Sequence, residues 1–538
     1  MDKSEMDSED AMYSQELRES SYKIQRLDKT LHEDRATSKQ YIKHTDPFKF
    51  VNIIVRHPIL FGATILTILY IVYYFGQPPL PGNNPAAPLG WWGWYDQSQY
   101  LRSARALNRI DLAPVEHWYP FGYSLLGAMF VDWSPAHAWV LVNWVCLLGA
   151  FAGFVAFARR VGVSPAWSAL IFIATVGLSR SAIVQWVTPW STTPVAALTW
   201  LLLATAAGYR DGIRRPVLVG AIACAIPLFR PTDALVAGLC VVFVLGQDRS
   251  WRALIRIAAG AAALALPYAA LHLHVYGFAL SPYMVGSSEV GFTLQRFGWK
   301  AYTILLDPSP WFLDGQGLFR VAPYLALAIP GLIVALARGG AAALLAGAVI
   351  VHIVLYISYM DLLPTGLWRY MNVHYFKWIL PAGGLLSFLF IRELLCWRTG
   401  KLFPLAPAVM AVSVLILCLR LEPVPVGLND PASMLVYHGS VPGFDAAYFG
   451  PLEMRDTVGV LRQTSDVRAI PIPGGMRVYA MRRDFKGTPE FTILPLKWAV
   501  SGPPERFAAR LSIGPPCWLP VIHCTKMSND QLPPSPLP

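Results

Sequence analysis

Charge is scarce in this chain. Asp, Glu, Lys and Arg make up 14% of its 538 residues, against about a quarter in soluble globular proteins. That deficit excludes an ordinary soluble fold. In place of charge the chain carries recurring runs of about 20 apolar residues, the length that a bilayer-crossing helix requires. Nucleic-acid modules are missing as well: no zinc-finger, RRM or related pattern occurs. The net charge of +11 is therefore read as membrane topology and lipid headgroup contact, and no nucleic-acid partner is expected. No internal repeat is evident, which argues against a transporter built from inverted repeats. No cleavable signal peptide is expected, because residues 1–47 are polar and mixed in charge, where a signal peptide would already be apolar. Cysteine is sparse, with seven residues. Cys146, Cys224, Cys240, Cys396 and Cys418 fall in apolar runs and read as small core residues. Cys517 and Cys524 lie close together near the C-terminus and either form a disulfide or remain free.

Apolar segments stand near 53–76, 135–158, 164–180, 190–208, 216–229, 233–246, 254–275, 318–337, 341–359, 375–395 and 402–421. They predict an all-α polytopic membrane protein of about eleven transmembrane helices. With the N-terminus inside, each inside loop holds Arg or Lys: Arg159 and Arg160, then Arg210, Arg214 and Arg215, then Arg249, Arg252 and Arg256, then Arg338, and last Arg392, Arg398 and Lys401. That is the positive-inside pattern. Three units are expected: residues 1–47 as a cytoplasmic charged tail, 48–421 as the transmembrane domain, and 422–538 as a small extracytoplasmic α+β domain. The last unit is Pro-rich, has strand-like runs such as Met476-Arg477-Val478-Tyr479-Ala480-Met481, and ends in a Pro-Pro-Ser-Pro-Leu-Pro tail.

The first outside loop spends polar residues beside lipid. It reads Trp94-Tyr95-Asp96-Gln97-Ser98-Gln99-Tyr100-Leu101 and, further on, Glu116-His117-Trp118-Tyr119-Pro120-Phe121-Gly122-Tyr123. Asp96 precedes a helical pattern over 97–109, where it suits an N-cap with Gln99 closing a capping box. It equally suits a general base that takes the proton from an attacking hydroxyl. Arg102, Arg105 and Arg109 recur on one helix face, suited to snorkelling onto lipid phosphate or to cradling a lipid-linked phosphate substrate. Glu116 and His117 read either as an interfacial polar pair or as a second acid–base group or metal ligand. The stretch 119–131 is too short to span and is expected as a half-buried or re-entrant helix. Trp91, Trp92, Trp94, Trp118 and Trp133 fit an interfacial aromatic belt.

An acidic residue after the first span, the helix Tyr100-Leu101-x-x-Ala104-x-x-Leu107 and the turn Tyr119-Pro120-Phe121-Gly122-Tyr123-Ser124-Leu125-Leu126 together resemble the GT-C superfamily. These are integral-membrane glycosyltransferases that use polyprenyl-phosphate-linked sugars, among them protein O-mannosyltransferases and lipid A aminoarabinose transferases. The architecture is matched over roughly 50–400 and the motif over about 35 residues. The chain departs from the family where Gln97 replaces a second acidic residue, where Trp91-Trp92 is followed by Gly93 instead of Asp, and where no Asp-x-Asp stands in the loop. No obligatory cofactor or metal is expected, with a divalent metal left open.

Later polar residues extend the candidate site. Arg230 and Asp233 in Phe229-Arg230-Pro231-Thr232-Asp233 lie between two short spans, where charge is costly. They form a mutual pair closing a turn, or Arg230 contacts phosphate or sugar. Arg369, Tyr370, His374 and Lys377 lead into a late span, and Arg369 has the geometry for bidentate phosphate contact. Tyr119 and Tyr123 complete the substrate-binding set. The 276–317 loop, with Glu289, Arg296, Lys300, Asp307 and Asp314, suits a cover over the site, and its charges are expected in solvent.

The resemblance implies a site at the outer membrane face; the lack of an evident signal peptide and an Arg- and Ala-rich composition lead us to expect an inner (plasma) membrane. A polyprenyl-phosphate sugar enters from the lipid, Arg230, Arg369 and Lys377 hold its phosphate, and Asp96 deprotonates the acceptor, whether a lipid, a glycan or a protein. The rival readings are a transporter or flippase of a lipid-linked glycan and an inactive GT-C-like scaffold.

Overall fold

The computed structural model describes residues 57–76, 95–135, 137–212, 215–294, 297–308, 316–359, 362, 367, 372–396, 406–423, 433–438, 446–449, 459–462, 467–470, 491–495 and 509–519. The chain divides into two units, 1–61 and 62–538. Of the first, only 57–61 are described, and they form the opening of the first helix. The expected tail 1–47 lies outside the described residues.

The chain is mostly helical. In order, the helices are α1 Pro58–Gly76, α2 Tyr95–Asn108, α3 Phe121–Ala128, α4 Val140–Arg160, α5 Pro165–Phe172, α6 Arg180–Val187, α7 Thr192–Ala207, α8 Arg215–Phe229, α9 Ala234–Asp248, α10 Trp251–Tyr276, α11 Pro282–Val290, α12 Phe297–Leu305, α13 Leu318–Val321, α14 Leu325–Arg338, α15 Gly340–Ser358, α16 Ile379–Leu395 and α17 Ala406–Leu417. Every apolar run read from the sequence overlaps one of them. Among the described residues, five are long and apolar enough to cross a membrane, or six if the bent pair α5–α6 counts as one. α7, α8, α14 and α17 are apolar but shorter.

Local chemistry sets several ends. Ser164 caps α5 by accepting from the Trp167 N–H, with Pro165 next in the helix. Ser250 caps α10 through Ala253, and Ser281 caps α11 through Met284. A serine hydroxyl satisfies an otherwise orphan N–H, and proline in the first turn loses no bond. One expected straight run is broken. After α5 the chain winds as a π-turn over Ile173–Gly177, then bends by 82° into α6. The bend re-aims Gln185 and Trp186 into the interior, where both are buried.

Small residues let the helices approach. A methyl group added at Gly220 of α8 would strike the Ile257 carbonyl oxygen of α10, and one at Gly260 would strike the Val217 carbonyl. Close backbone contact of this kind is the usual way helices associate in lipid. Gly260→Ala is expected to lower the melting temperature of purified protein, at a cost of about 1–3 kcal/mol from overpacking. Gly238→Ala, where nothing lies within 4 Å, should leave it unchanged.

The bundle has two chemically different ends. At one end the Arg392 guanidinium donates to the Gly162 and Val161 carbonyls, Arg338 pairs with Glu393 at 2.6 Å, and Arg160 lies against Gly208. At the other end lie the starts of α7 and α16 and the last turns of α8 and α15. α7 alone separates the two ends by about 24 Å at 1.5 Å per residue.

In the C-terminal stretch the described residues are strands. β1 Leu419–Pro423 pairs antiparallel with β7 Ala509–Ile513, in register Leu421 with Leu511. β2 Ser433–His438 lies between β5 Val467–Ile470 and β6 Phe491–Pro495, and β3 Ala446–Phe449 pairs with β4 Gly459–Arg462. After β7, Trp518 packs on Phe319 and donates to the Leu417 carbonyl. Cys517 is disulfide-bonded. Cys524, its expected partner, lies outside the described residues.

Candidate active site

The helix pattern expected at 97–109 forms as α2, but it already includes Tyr95. Asp96 therefore sits in the first described turn, not ahead of the helix as an N-cap. There its carboxylate faces the positive end of the helix dipole and accepts a hydrogen bond of 2.6 Å from the Tyr119 hydroxyl. The Tyr119 ring lies between Tyr100, 4.6 Å away, and Tyr283 of α11, 5.1 Å away. Tyr283 also ties the two loops together, its N–H donating to the Trp118 carbonyl. The long second loop thus lies against the first, as a cover would.

Residues from further along the chain converge on the same place. Phe229, the residue before Arg230, packs against the aromatic cluster of Tyr100 on which Tyr119, the partner of Asp96, also packs. Arg230 follows α8 directly and is buried, with 6% exposure. Its Nε donates to the Tyr356 hydroxyl at 2.7 Å, that hydroxyl donates to Asp233 Oδ2 at 2.8 Å, and Nε to Oδ2 is 3.4 Å. The guanidinium lies 4.2 Å from the Tyr375 ring centre. Its two terminal amino groups have no hydrogen-bond partner among the described residues. The expected Arg230–Asp233 pair is real, but a tyrosine mediates it and half the guanidinium is left over.

His374 and Lys377 follow. His374 stacks on Trp190 with centroids 4.0 Å apart and its Nδ1 meets Thr192 Oγ1 at 3.2 Å. The Lys377 ammonium donates to Thr193 Oγ1 and sits 5.9 Å from the Trp186 ring centre. Both are buried, so neither snorkels to an interface. Around the same α6–α7 turn, Gln97 Nε2 donates to the Pro189 carbonyl and the Tyr100 hydroxyl to Ser191. Gln97 Oε1, Gln185 Oε1 and the Trp190 indole N–H are buried there without partners among the described residues. Buried polar atoms left unpaired are costly and mark places for water or ligand groups.

Other expected site residues take a different role. Glu116 receives a fork from Arg102, with Nε and a terminal nitrogen each 2.7 Å from a carboxylate oxygen. His117 is wholly buried, its Nδ1 accepting from Ser103 at 2.8 Å and its Nε2–H donating to the Asp111 carbonyl at 3.0 Å. Both ring nitrogens are thereby engaged within the protein. Tyr123 is a core residue, bonded to Asn143 and stacked on Trp139. Arg105 reaches the Pro135 carbonyl from the surface, and Arg109 lies beyond the end of α2, exposed. Lys300 and Asp307, expected in solvent, are buried, and the Lys300 ammonium donates to the Tyr359 carbonyl at 2.6 Å. That bond fastens α12 to the end of α15. Arg369 and Tyr370 lie outside the described residues, as do Arg296 and Asp314.

The Arg102–Glu116–His117 clamp has a pH signature. The Arg102 hydrogen bonds hold the Glu116 carboxyl below its usual range, and burial holds His117 below its own. Both folded pKa values are depressed, so the unfolded chain binds more protons and stability falls as pH falls. The His117 contribution is full above about pH 6.5 and lost below it. That of Glu116 is full above about 4.3 and lost further down. Melting temperature should therefore decline in two steps on acidification, and His117→Asn should remove the upper step.

Among the described residues no group of three or more His, Cys, Asp and Glu side chains is arranged to hold a metal ion. Comparison of the chain with protein-family models, with curated proteins and with solved structures finds no match.

Proposed function

We propose that this chain is a GT-C-type glycosyltransferase. It moves a sugar from a polyprenyl-phosphate carrier to a hydroxyl acceptor, with inversion, at the extracytoplasmic face of an inner (plasma) membrane. The reading rests on one observation above the rest. A carboxylate, Asp96, and a buried guanidinium, Arg230, are brought to one aromatic cluster although 134 positions separate them in sequence: Tyr119, which bonds Asp96, and Phe229, which precedes Arg230, both pack against the cluster that contains Tyr100.

The chemistry follows from those two groups. Asp96 accepts the proton of the acceptor hydroxyl. The acceptor oxygen forms its bond to the anomeric carbon from the face opposite the phosphate as the carbon–phosphate-oxygen bond breaks. Polyprenyl phosphate departs as an anion and needs no proton. Arg230 and Lys377 stabilise the charge that develops on it, in a site where burial strengthens each interaction. No step calls for a metal.

Orientation is part of the same proposal. The arginine-lined end of the bundle suits the cytoplasmic side, which puts Asp96 and Arg230 outside. A disulfide at Cys517 suits an oxidising compartment for the C-terminal segment. The full eleven-span count, a cytoplasmic N-terminus and an external 422–538 domain complete it.

The deciding experiment incubates detergent-purified protein with polyprenyl-phosphate-linked pentose, hexose and aminosugar donors, together with candidate acceptors, and follows free polyprenyl phosphate by mass spectrometry. Release is the expected result. No release from any donor by folded protein would sink the reading. One observation favours the flippase instead: the α5–α6 pair bent by 82°, since broken helices line transport sites. Movement of a lipid-linked glycan across vesicles without bond formation would select that alternative.

A further inference from the structure

Arg230 is held by a chain of buried side chains that ends inside α15. The chain starts at the Arg230 Nε, passes to the Tyr356 hydroxyl at 2.7 Å and from there to Asp233 Oδ2 at 2.8 Å. Asp233 Oδ1 lies 3.6 Å from His352 Nδ1. That last contact is not an ion pair. The Trp378 indole N–H donates to His352 Nδ1 at 3.2 Å, so Nδ1 carries a lone pair and no proton, and Nε2–H donates to the Tyr375 carbonyl at 3.0 Å. An indole nitrogen can only donate, which fixes the tautomer and leaves the imidazole neutral. His352 therefore braces the turn that carries Tyr375, and the Tyr375 ring in turn lies under the guanidinium at 4.2 Å.

The consequence is directional. An arginine beside an aspartate normally forms a fork, spending two nitrogens on two oxygens. Here only Nε approaches the carboxylate, 3.4 Å from Oδ2, and the Tyr356 hydroxyl bridges the two atoms from the side. It accepts from Nε and donates to the carboxylate, so the pair is charge-balanced through a hydroxyl and the two terminal amino groups stay available. From this geometry we infer that Tyr356 is a positioning residue. It keeps Arg230 from collapsing onto Asp233, so that the guanidinium presents two parallel N–H donors to the phosphate of a polyprenyl-phosphate ligand. Asp233 and His352 serve as its backing. This inference rests on the phosphate reading of the site and adds to it the device that holds the phosphate donor open.

The test compares binding of polyprenyl phosphate with binding of the matching uncharged polyprenol to purified full-length protein. The ratio of the two dissociation constants isolates the phosphate contact from the lipid contact. Wild type is expected to prefer the phosphate. Tyr356→Phe removes the hydroxyl, lets Arg230 close on Asp233, and is expected to cut the ratio about tenfold while polyprenol binding stays unchanged. A purely structural loss would weaken both ligands alike. Asp233→Asn provides the second variant: it removes the competing charge but leaves an acceptor for Tyr356, so the preference for phosphate is expected to persist. Full phosphate preference in Tyr356→Phe, or its loss in Asp233→Asn, overturns the positioning role. Wild type with no preference for phosphate overturns the phosphate reading itself.

Discussion

Asp96→Asn is expected to abolish sugar transfer while leaving the protein folded and its donor bound. Removing a general base typically lowers turnover by about 10²–10⁴-fold. The substitution is nearly isosteric, and the amide oxygen can still accept from the Tyr119 hydroxyl that now bonds Asp96 Oδ1 at 2.6 Å. The Tyr119–Tyr100–Tyr283 packing therefore has no reason to change. The loss should appear in kcat, with KM for the donor and the melting temperature close to wild type, because Asp96 is assigned to the acceptor proton and not to the phosphate. Tyr119→Phe gives the contrast. It takes away one hydrogen bond to the carboxylate without removing the base, and should cost far less than Asp96→Asn. Turnover intact in folded Asp96→Asn would show that another group accepts the proton.

How much of this was legible in the sequence differs between fold and site. Long apolar runs specify helices because a bilayer leaves no other partner for the backbone, so the helical segments could be read in advance. The 82° bend after α5 could not. Its residues, Ile173 to Ser179, are apolar or small and continue the hydropathy of the helix they break. Asp96, Arg230, His374 and Lys377 were legible for the converse reason, as polar groups with no cheap place in lipid. Glu116 and His117 carried the same signal and mean something else. Their partners, Arg102 and Ser103, sit one α2 turn from the aromatic core, and only the fold brings the two loops into register. Tyr356 and His352 were missed because they interrupt one of the most apolar helices, α15. Their spacing of four residues puts them on one helix face, a polar stripe that hydropathy averaging hides. Lys300 and Asp307 were misread because a loop between spans was taken to be wet, whereas this one packs on protein and its cation finds a backbone carbonyl.

Arg230→Lys is the second large effect expected, and it separates charge from geometry. The native guanidinium does two jobs at once. Nε engages Tyr356, and through it Asp233, while the two terminal amino groups remain for the ligand. A lysine brings one nitrogen to the same region. Drawn back to Tyr356 and Asp233, it leaves the phosphate with Lys377 alone. Drawn forward to the phosphate, it leaves Asp233 buried without a counter-charge. Either arrangement forfeits stabilisation of the departing anion, which is worth about 10²–10³-fold in kcat for one well-placed donor. KM for the donor should rise as well, because the proposed role of Arg230 includes holding the phosphate in the ground state. Lys377→Met should be milder in both, since Lys377 Nζ is bonded to Thr193 and brings a single nitrogen, not a fork, to the site. Arg230→Ala would add a stability loss of about 3–5 kcal/mol from the stranded Asp233 carboxylate, so Arg230→Lys is the cleaner probe of chemistry. Equal turnover by wild type and Arg230→Lys would mean that only the charge at this position matters, and the phosphate would then have to be held elsewhere.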